Sequence, residues 1–305
     1  MSFKVLTSGI FTTIQDQGRY GYNHLGITHS GAMDEYAYLW GQKLLQTVVQ
    51  RTDIGVYPYN ALEVMVGLKL LAISFTTIAV TGADLNFKIN DVLQPIWQTH
   101  YIKSGDILSF DKRVSGQRAY LAVKEGFILE KVYGSYATTL KENIGSKLKR
   151  DDILDFKSYP KADTYRVKKT YIPNYKKPLT LRLLLSYQEN YFSKEEKEKF
   201  FNSEYEVTLQ SDRMGYKLKG QAINPNQGGI ISEAIAFGSV QIPKDGQPIV
   251  LLKERQTIGG YPKIGAVLPV DCFSLAQISM GSKVRFEVIE IEKVEEIMKK
   301  FSQSI

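Results

Sequence analysis

Three stretches of this 305-residue chain gather residue types that bind anions, hold metal ions or move protons. The first is 15–34, QDQGRYGYNHLGITHSGAMD, with four glycines, two of the chain's three histidines (His24 and His29), Asp16 and Asp34. Glycines at that density let a backbone approach a ligand closely, and a helix starting near Ser30 and Gly31 would aim free amide donors at an anion. The same stretch equally suits a long structural loop. His24 and His29 lie five residues apart, a spacing that matches no recognised zinc pattern.

The second stretch is 255–265, RQTIGGYPKIG, where Gly259 and Gly260 sit between Arg255 and Lys263. Backbone donors and two cations at one turn are what a phosphate or carboxylate needs, although a solvated hairpin has the same composition. The third is 211–215, SDRMG, with Glu233 further on. Asp212 or Glu233 could hold magnesium or move a proton, and Arg213 could fork onto a carboxylate; each also suits a structural ion pair. Gly215 and Gly220 have the spacing of a phosphate-binding loop, but Gln221 and Ala222 stand where Lys and Ser/Thr belong, so any ATP site is nonstandard or shared with a partner chain. The lone Cys272 cannot form an internal disulfide and reads as a buried thiol.

The elements that must position these residues are mostly strands. Short runs such as ALEVMVG, TIAVTGAD, GDILSF, GQRAYLAV, VTLQSD, QPIVLL and KVRFEVIEI are rich in β-branched and aromatic residues and are punctuated by Gly or Asp turns. Their close spacing points to antiparallel barrels or sandwiches. Helical spacing appears from Met33 through Ala37, Trp40 and Leu44, with Ser30 placed as a cap. Ser193 and Glu196 form a capping box, and Val294, Ile297, Met298 and Phe301 give a turn or two near the carboxy terminus. A repeat is visible: Gly116 and Asp151 are separated by 35 residues, as are Gly246 and Gly281, each pair bracketing similar strands.

The length suits two domains of roughly 100 to 150 residues. The expected division is an amino-terminal barrel over 1–160, a basic linker over 159–178 and a carboxy-terminal barrel over 178–295. Most of the net charge of +7 lies between Lys147 and Lys177, so the charge marks a connector and not a nucleic-acid surface. The amino terminus lacks the apolar run of a signal peptide, and no stretch reads as a membrane span, which together indicate a cytoplasmic protein.

The runs TTIQDQGRYGYNHLGITHSGAMDEYA, ALE at 61–63, TGAD at 81–84, SDRMGYKLKG and GSVQIPKDGQPIVLLKERQTIGGYPKIG resemble the carboxyltransferase-domain family, to which subunits of 5-oxoprolinase, allophanate-hydrolase-type and urea carboxylase enzymes belong. The resemblance spans about residues 5 to 290. It implies a mainly β fold of two cyclophilin-like β-barrels and a stable complex with two partners, a smaller homologous B-type subunit and a third, A-type subunit. The activity it implies is that of an ATP-dependent amidohydrolase subunit, active with its partners, converting 5-oxo-L-proline to L-glutamate. ATP and Mg2+ would be bound here or by a partner subunit. On that basis Arg255, Gly259, Gly260 and Lys263 are expected to bind the anion, with Arg213 and Tyr261 beside them. Asp212 and Glu233 are expected to serve metal or proton transfer, and Gln15, Arg19, His24 and Ser30 to line the substrate side. Two other roles fit the resemblance: a biotin-dependent carboxyltransferase acting on a urea-like or amide substrate, with biotin on a separate carrier, and an antagonist of a sensor-kinase inhibitor. The chain has Ala234 where the family motif has glycine.

Overall fold

The computed structural model describes residues 1–45, 58–160, 163–226 and 228–305. The chain forms two compact units, one of Met1–Tyr20 and Ser30–Lys176 with the terminal Ile305, the other of Gly21–His29 and Lys177–Ser304.

In the first unit the strands are β1 (Ser2–Ser8), β2 (Thr12–Gln15), β3 (Ala61–Val64), β4 (Leu68–Ala72), β5 (Thr76–Asp84), β6 (Phe87–Ile89), β7 (Val92–Leu93), β8 (Gln98–Ile102), β9 (Ile107–Phe110), β10 (Ser115–Val123) and β11 (Ile153–Asp155), and the unit carries the helix α1 (Glu35–Leu44). They make a six-stranded sheet in the order β11-β1-β4-β9-β6-β7 and a five-stranded sheet in the order β2-β3-β10-β5-β8. One apolar cluster draws Phe3, Val5 and Leu70 from the first sheet and Leu62, Val80 and Leu121 from the second. β5 and β10 are buried almost throughout, because α1 also packs on them. Burial on both faces explains why TIAVTGAD and AYLAV read as continuous apolar runs instead of alternating ones.

The cap of α1 is Asp34, whose side chain accepts from Ala37 N at 3.0 Å, and not Ser30 as expected. Ser30 stands in the left-handed region at φ 51, four residues before the cap, and its hydroxyl donates to Thr138 O. The amides expected to face an anion are engaged within the unit: Ala32 N donates to Asp16 O, Met33 N to Glu63 Oε2 and Asp34 N to Tyr120 OH, each at 2.8 Å. The expected basic connector, 159–178, is packed along part of its length on this unit. Tyr165 N donates to Thr99 Oγ1 at 2.9 Å, Val167 N to Trp97 O at 3.0 Å and Tyr175 OH to Asp34 Oδ2 at 2.8 Å. The Tyr175 hydroxyl is satisfied there and the Tyr171 ring packs on Trp40 at 5.6 Å, which helps hold the stretch down. Residues 161 and 162 of it lie outside the described residues.

The second unit is a closed barrel. Its elements are β12 (Leu179–Leu185), α2 (Lys194–Phe201), β13 (Tyr205–Val207), β14 (Gly215–Lys219), β15 (Glu233–Ala234), β16 (Ser239–Gln241), β17 (Ile249–Leu251), β18 (Ile258–Gly259), β19 (Lys263–Val267), α3 (Pro269–Leu275), β20 (Lys283–Val288) and α4 (Ile291–Ser304). The barrel order is β12-β19-β16-β17-β14-β13-β20, and β15 and β18 form a separate ribbon. The barrel closes through β12 and β20, which run parallel, while its other pairs are antiparallel. Ser193 caps α2 as its capping box predicts, accepting from Glu196 N. α4 has 14 residues, longer than the turn or two expected. α3, opened by Pro269, carries Cys272 and was not expected.

The repeat holds at one of its two landmarks. Asp151 (φ 71) and Gly281 (φ 83) open equivalent turns: Asp151 N donates to Val5 O and Val5 N to Asp152 O, just as Gly281 N donates to Val207 O and Val207 N to Ser282 O. At the other landmark the geometry differs, since Gly116 lies within β10 beside a register shift whereas Gly246 N donates to Pro243 O and closes a turn. Among the described residues no helix is long and apolar enough to cross a membrane.

Candidate site on the carboxy-terminal barrel

In the first unit the glycine-rich stretch grips a loop of its own chain. Gln15 Nε2 donates to Thr138 O at 3.1 Å, Arg19 donates to Thr139 Oγ1 at 2.6 Å and to Ala137 O, and Ser30 Oγ donates to Thr138 O at 3.1 Å. Asp16 accepts from Ser135 Oγ and Tyr136 N, both at 2.7 Å. Gln15, Arg19 and Ser30 are at most 1 % exposed, so the structure does bring these three expected residues together, around 135–139. Gly31 is required by this packing: at φ +100, an added Cβ would lie 2.8 Å from Gln17 C and Gly18 N. His24 stands apart, on an exposed short 3-10 turn of the second unit.

In the second unit the expected residues divide by what already engages them. VTLQSD leaves the strand at Val207, and Asp212 folds back on its own turn, accepting from Met214 N at 2.8 Å and Gly215 N at 3.3 Å. Arg213 pairs with Glu254 at 2.5 Å, both side chains at most 10 % exposed. Arg255 donates to Ile235 O at 3.0 Å and Leu252 O at 3.3 Å, and its Nη2 lies 2.9 Å from His29 Nδ1. Burial, followed by the charges of Arg255 and Lys253, holds the His29 pKa down at about 4, which keeps the imidazole neutral and able to accept from the guanidinium. Arg255 thereby fastens the 21–29 segment within its unit.

Lys263 and Glu233 form a different arrangement. The Lys263 ammonium, 7 % exposed at its side chain, bonds the Glu233 carboxylate, which is 32 % exposed. Gln188 Nε2 donates to the same carboxylate at 2.8 Å and Tyr187 OH donates to its other oxygen. Lys263 N in turn donates to Gln188 Oε1 at 2.9 Å. The bond from Lys263, then that from Tyr187, holds the Glu233 pKa below the usual carboxylate range, so the site presents a persistent anion and cation side by side, half open to water. Tyr187 and Gln188 had no signal in the sequence, because they follow β12 and meet this pair only through the pairing of β12 with β19.

Gly259, Gly260 and Tyr261 lie beside this pair. Glu233 is the Cα partner of Gly259, and Ile230 N donates to Gly260 O at 2.9 Å. Tyr261 lines a cleft of about 880 Å3 together with Gln241, Met214, Lys217, Ile249 and Leu251. Strand alternation explains the cleft wall: Val240, Val250 and Tyr216, fully buried, face one way, and their neighbours Gln241, Ile249 and Lys217, with Ile249 the Cα partner of both others, face the other. Gln241 is also the Cα partner of Lys263 across β16 and β19. The Cys272 thiol is fully buried, and that burial pushes its pKa up, so it is no nucleophile.

The chain is 32% identical over 291 residues to the C subunit of the Haemophilus influenzae 5-oxoprolinase, covering 94% of this chain and 91% of that one. It is 32% identical over 303 residues to the corresponding protein of Escherichia coli, covering 95% and 92%. The structure of the K. lactis urea amidolyase superposes with a TM-score of 0.89 at 24% identity, covering 99% of this chain but 20% of that longer protein, a likeness of fold. Residues 25–288 match the family model described as carboxyltransferase domain, subdomain A and B, and the chain is a member of that family.

Proposed function

We propose that this chain is the C-type component of a multi-subunit, ATP-dependent 5-oxoprolinase, acting with A-type and B-type partners on 5-oxo-L-proline to release L-glutamate. The observation that carries this reading is the extent of the match. It runs along 91% and 92% of two 5-oxoprolinase C subunits, whereas the same fold occupies only 20% of the urea amidolyase chain.

The residues committed to this chemistry are Lys263 and Glu233. A buried ammonium is poised to stabilise negative charge developing on a carbonyl oxygen, and a carboxylate held ionised is poised to accept a proton from water or a lactam nitrogen. Tyr187 and Gln188 fix the carboxylate's orientation. Among the described residues no three His, Cys, Asp or Glu side chains are grouped to hold a metal ion, and Arg213 and Arg255 donate to acceptors within the chain. In this reading the nucleotide is bound by a partner protein of the complex.

The test is to copurify the chain with its partners and measure glutamate release from 5-oxo-L-proline, with and without ATP and bicarbonate. Release that needs ATP and not bicarbonate, and that is abolished in Lys263→Ala and Glu233→Ala complexes that still assemble, is the expected result. A requirement for bicarbonate and a biotinylated carrier would replace this reading with carboxyl transfer. Full turnover in both variants would remove the pair from the site.

A further inference from the structure

Glu233 is reached by three donors that differ in how firmly they are held. Lys263 Nζ and Gln188 Nε2 both bond Oε1, and both belong to the barrel framework: the Lys263 side chain is 7 % exposed, Gln188 is 4 % exposed, and Gln188 Oε1 accepts from Lys263 N at 2.9 Å. Tyr187 OH bonds the other oxygen, Oε2, yet Tyr187 is 75 % exposed. Among the described residues, the polar contacts of its side chain are at the hydroxyl alone, which donates to Glu233 and accepts from Gln188 Nε2 at 3.1 Å. The backbone beneath it is fixed, since Ser186 N donates to Ile264 O at 3.2 Å, Ser186 Oγ to Lys263 O at 2.5 Å and Glu189 N to Ser186 O at 3.0 Å. Motion of the ring therefore needs only rotation about its own side-chain bonds, which exposed residues make in picoseconds to nanoseconds. A carboxylate oxygen offers two acceptor positions, and those of Oε1 are both taken, so a proton donor arriving at Glu233 must come to Oε2, where the phenol already stands.

We propose that Tyr187 is a positioning residue that acts through Glu233 as a movable cover: between turnovers its hydroxyl occupies Oε2, and it swings into solvent when substrate brings its own donor, a water or an amide N–H, to that oxygen. Gln188 and Lys263 keep the carboxylate in place through both positions of the ring, because neither of their bonds involves Oε2. The exchange replaces one hydrogen bond by another and leaves the carboxylate ionised until the proton moves. A ligand that binds only the uncovered form sees its affinity reduced by the fraction of time the cover is open, and one solvent-exposed hydrogen bond sets that fraction at about a third to a tenth. The role of Glu233 as proton acceptor rests on the function proposed above; the attachment of Tyr187 by its tip does not.

Tyr187→Phe in the assembled complex removes the hydroxyl and keeps the ring. The expected result is a KM for 5-oxo-L-proline lowered about threefold to tenfold, as the open fraction rises to one. The acidic limb of the kcat/KM profile should also move to higher pH, because the Tyr187 bond adds to that of Lys263 in lowering the Glu233 pKa, while Tyr191 acts on the phenol. A kcat that collapses at unchanged KM would mean that the reaction needs the hydroxyl, and a lower thermal midpoint with KM and the acidic limb unchanged would make it a structural bond; either overturns the proposal. The cover is read directly by fluorine NMR of the full chain carrying 3-fluorotyrosine, with the Tyr187 resonance assigned by its loss in Tyr187→Phe. On warming, that resonance should move toward its position in the Glu233→Ala chain, where the phenol has lost its anchor, or toward that of fluorotyrosine in an unstructured peptide should this variant not fold. A resonance that keeps its position defeats the proposal. A wild-type complex that releases no glutamate defeats the proposed function, while the fluorine measurement still decides whether Tyr187 is a cover.

Discussion

Replacing Glu233 by alanine strands the Lys263 ammonium, whose side chain is 7 % exposed, without its carboxylate. Breaking a fully buried pair by removing one partner costs about 3–5 kcal/mol, and an exposed pair is worth about 0–1 kcal/mol. Glu233 is 32 % exposed, so the variant belongs between these limits, at about 2 kcal/mol. For a unit of this size that corresponds to a midpoint lower by roughly 6 °C. Urea denaturation of Glu233→Ala, Lys263→Met and the double variant closes a double-mutant cycle. The double variant leaves no unpaired charge, and its loss should fall short of the sum of the two single losses by about 1–2 kcal/mol. The sign with pH follows from the lowered Glu233 pKa: the coupling is fully present above the ordinary carboxylate pKa and fades as pH falls through the lower folded value. Strictly additive losses, or a coupling unchanged under acid, would refute the account of the pair.

Two further outcomes follow from the packing. His29 is held neutral with its pKa near 4, while in an unfolded chain it takes up a proton below about 6.5, so the unfolded state binds more protons in that window and stability should decline as pH drops from about 6.5 to about 4. His29→Gln should flatten that part of a stability–pH profile measured by chemical denaturation, and an unchanged slope would contradict it. Gly31→Ala combines φ +100 with a 2.8 Å clash against backbone and should destabilise the first unit by more than about 1 kcal/mol, read from its denaturation midpoint against wild type.

The strand-rich architecture was legible because β3, β5, β9, β10, β17 and β20 each coincide with a short apolar run bounded by a turn residue. The capping box at Ser193 was legible for a similar reason, being written in four consecutive residues. The cap of α1 was misplaced because Ser30, Gly31 and Asp34 are all plausible by type, and only the contacts of Ala32 and Met33 with Asp16 and Glu63 show that the helix has not yet begun there. The site was half legible. Glu233 and Lys263 stood out as charges beside turns, but Arg213, Arg255 and Asp212 stood out in the same way, and the groups that engage them are Glu254, His29 and the amides of a turn. Tyr187 and Gln188 carried no motif at all. Uncharged side chains acquire meaning from what surrounds them, and that depends on strand register.

The segment Gly21–His29 groups with the carboxy-terminal barrel, although the residues before and after it group with the other unit. A single cut of the polypeptide between Lys176 and Lys177 cannot therefore yield two self-sufficient pieces. A fragment starting at Lys177 would carry Arg255 with no imidazole to receive its guanidinium, and a complementary fragment ending at Lys176 would retain a nine-residue excursion deprived of its bed. Dissection of this protein into halves calls for grafting that short excursion onto the barrel piece, and insertions for tagging or labelling are better placed elsewhere than between Tyr20 and Ser30.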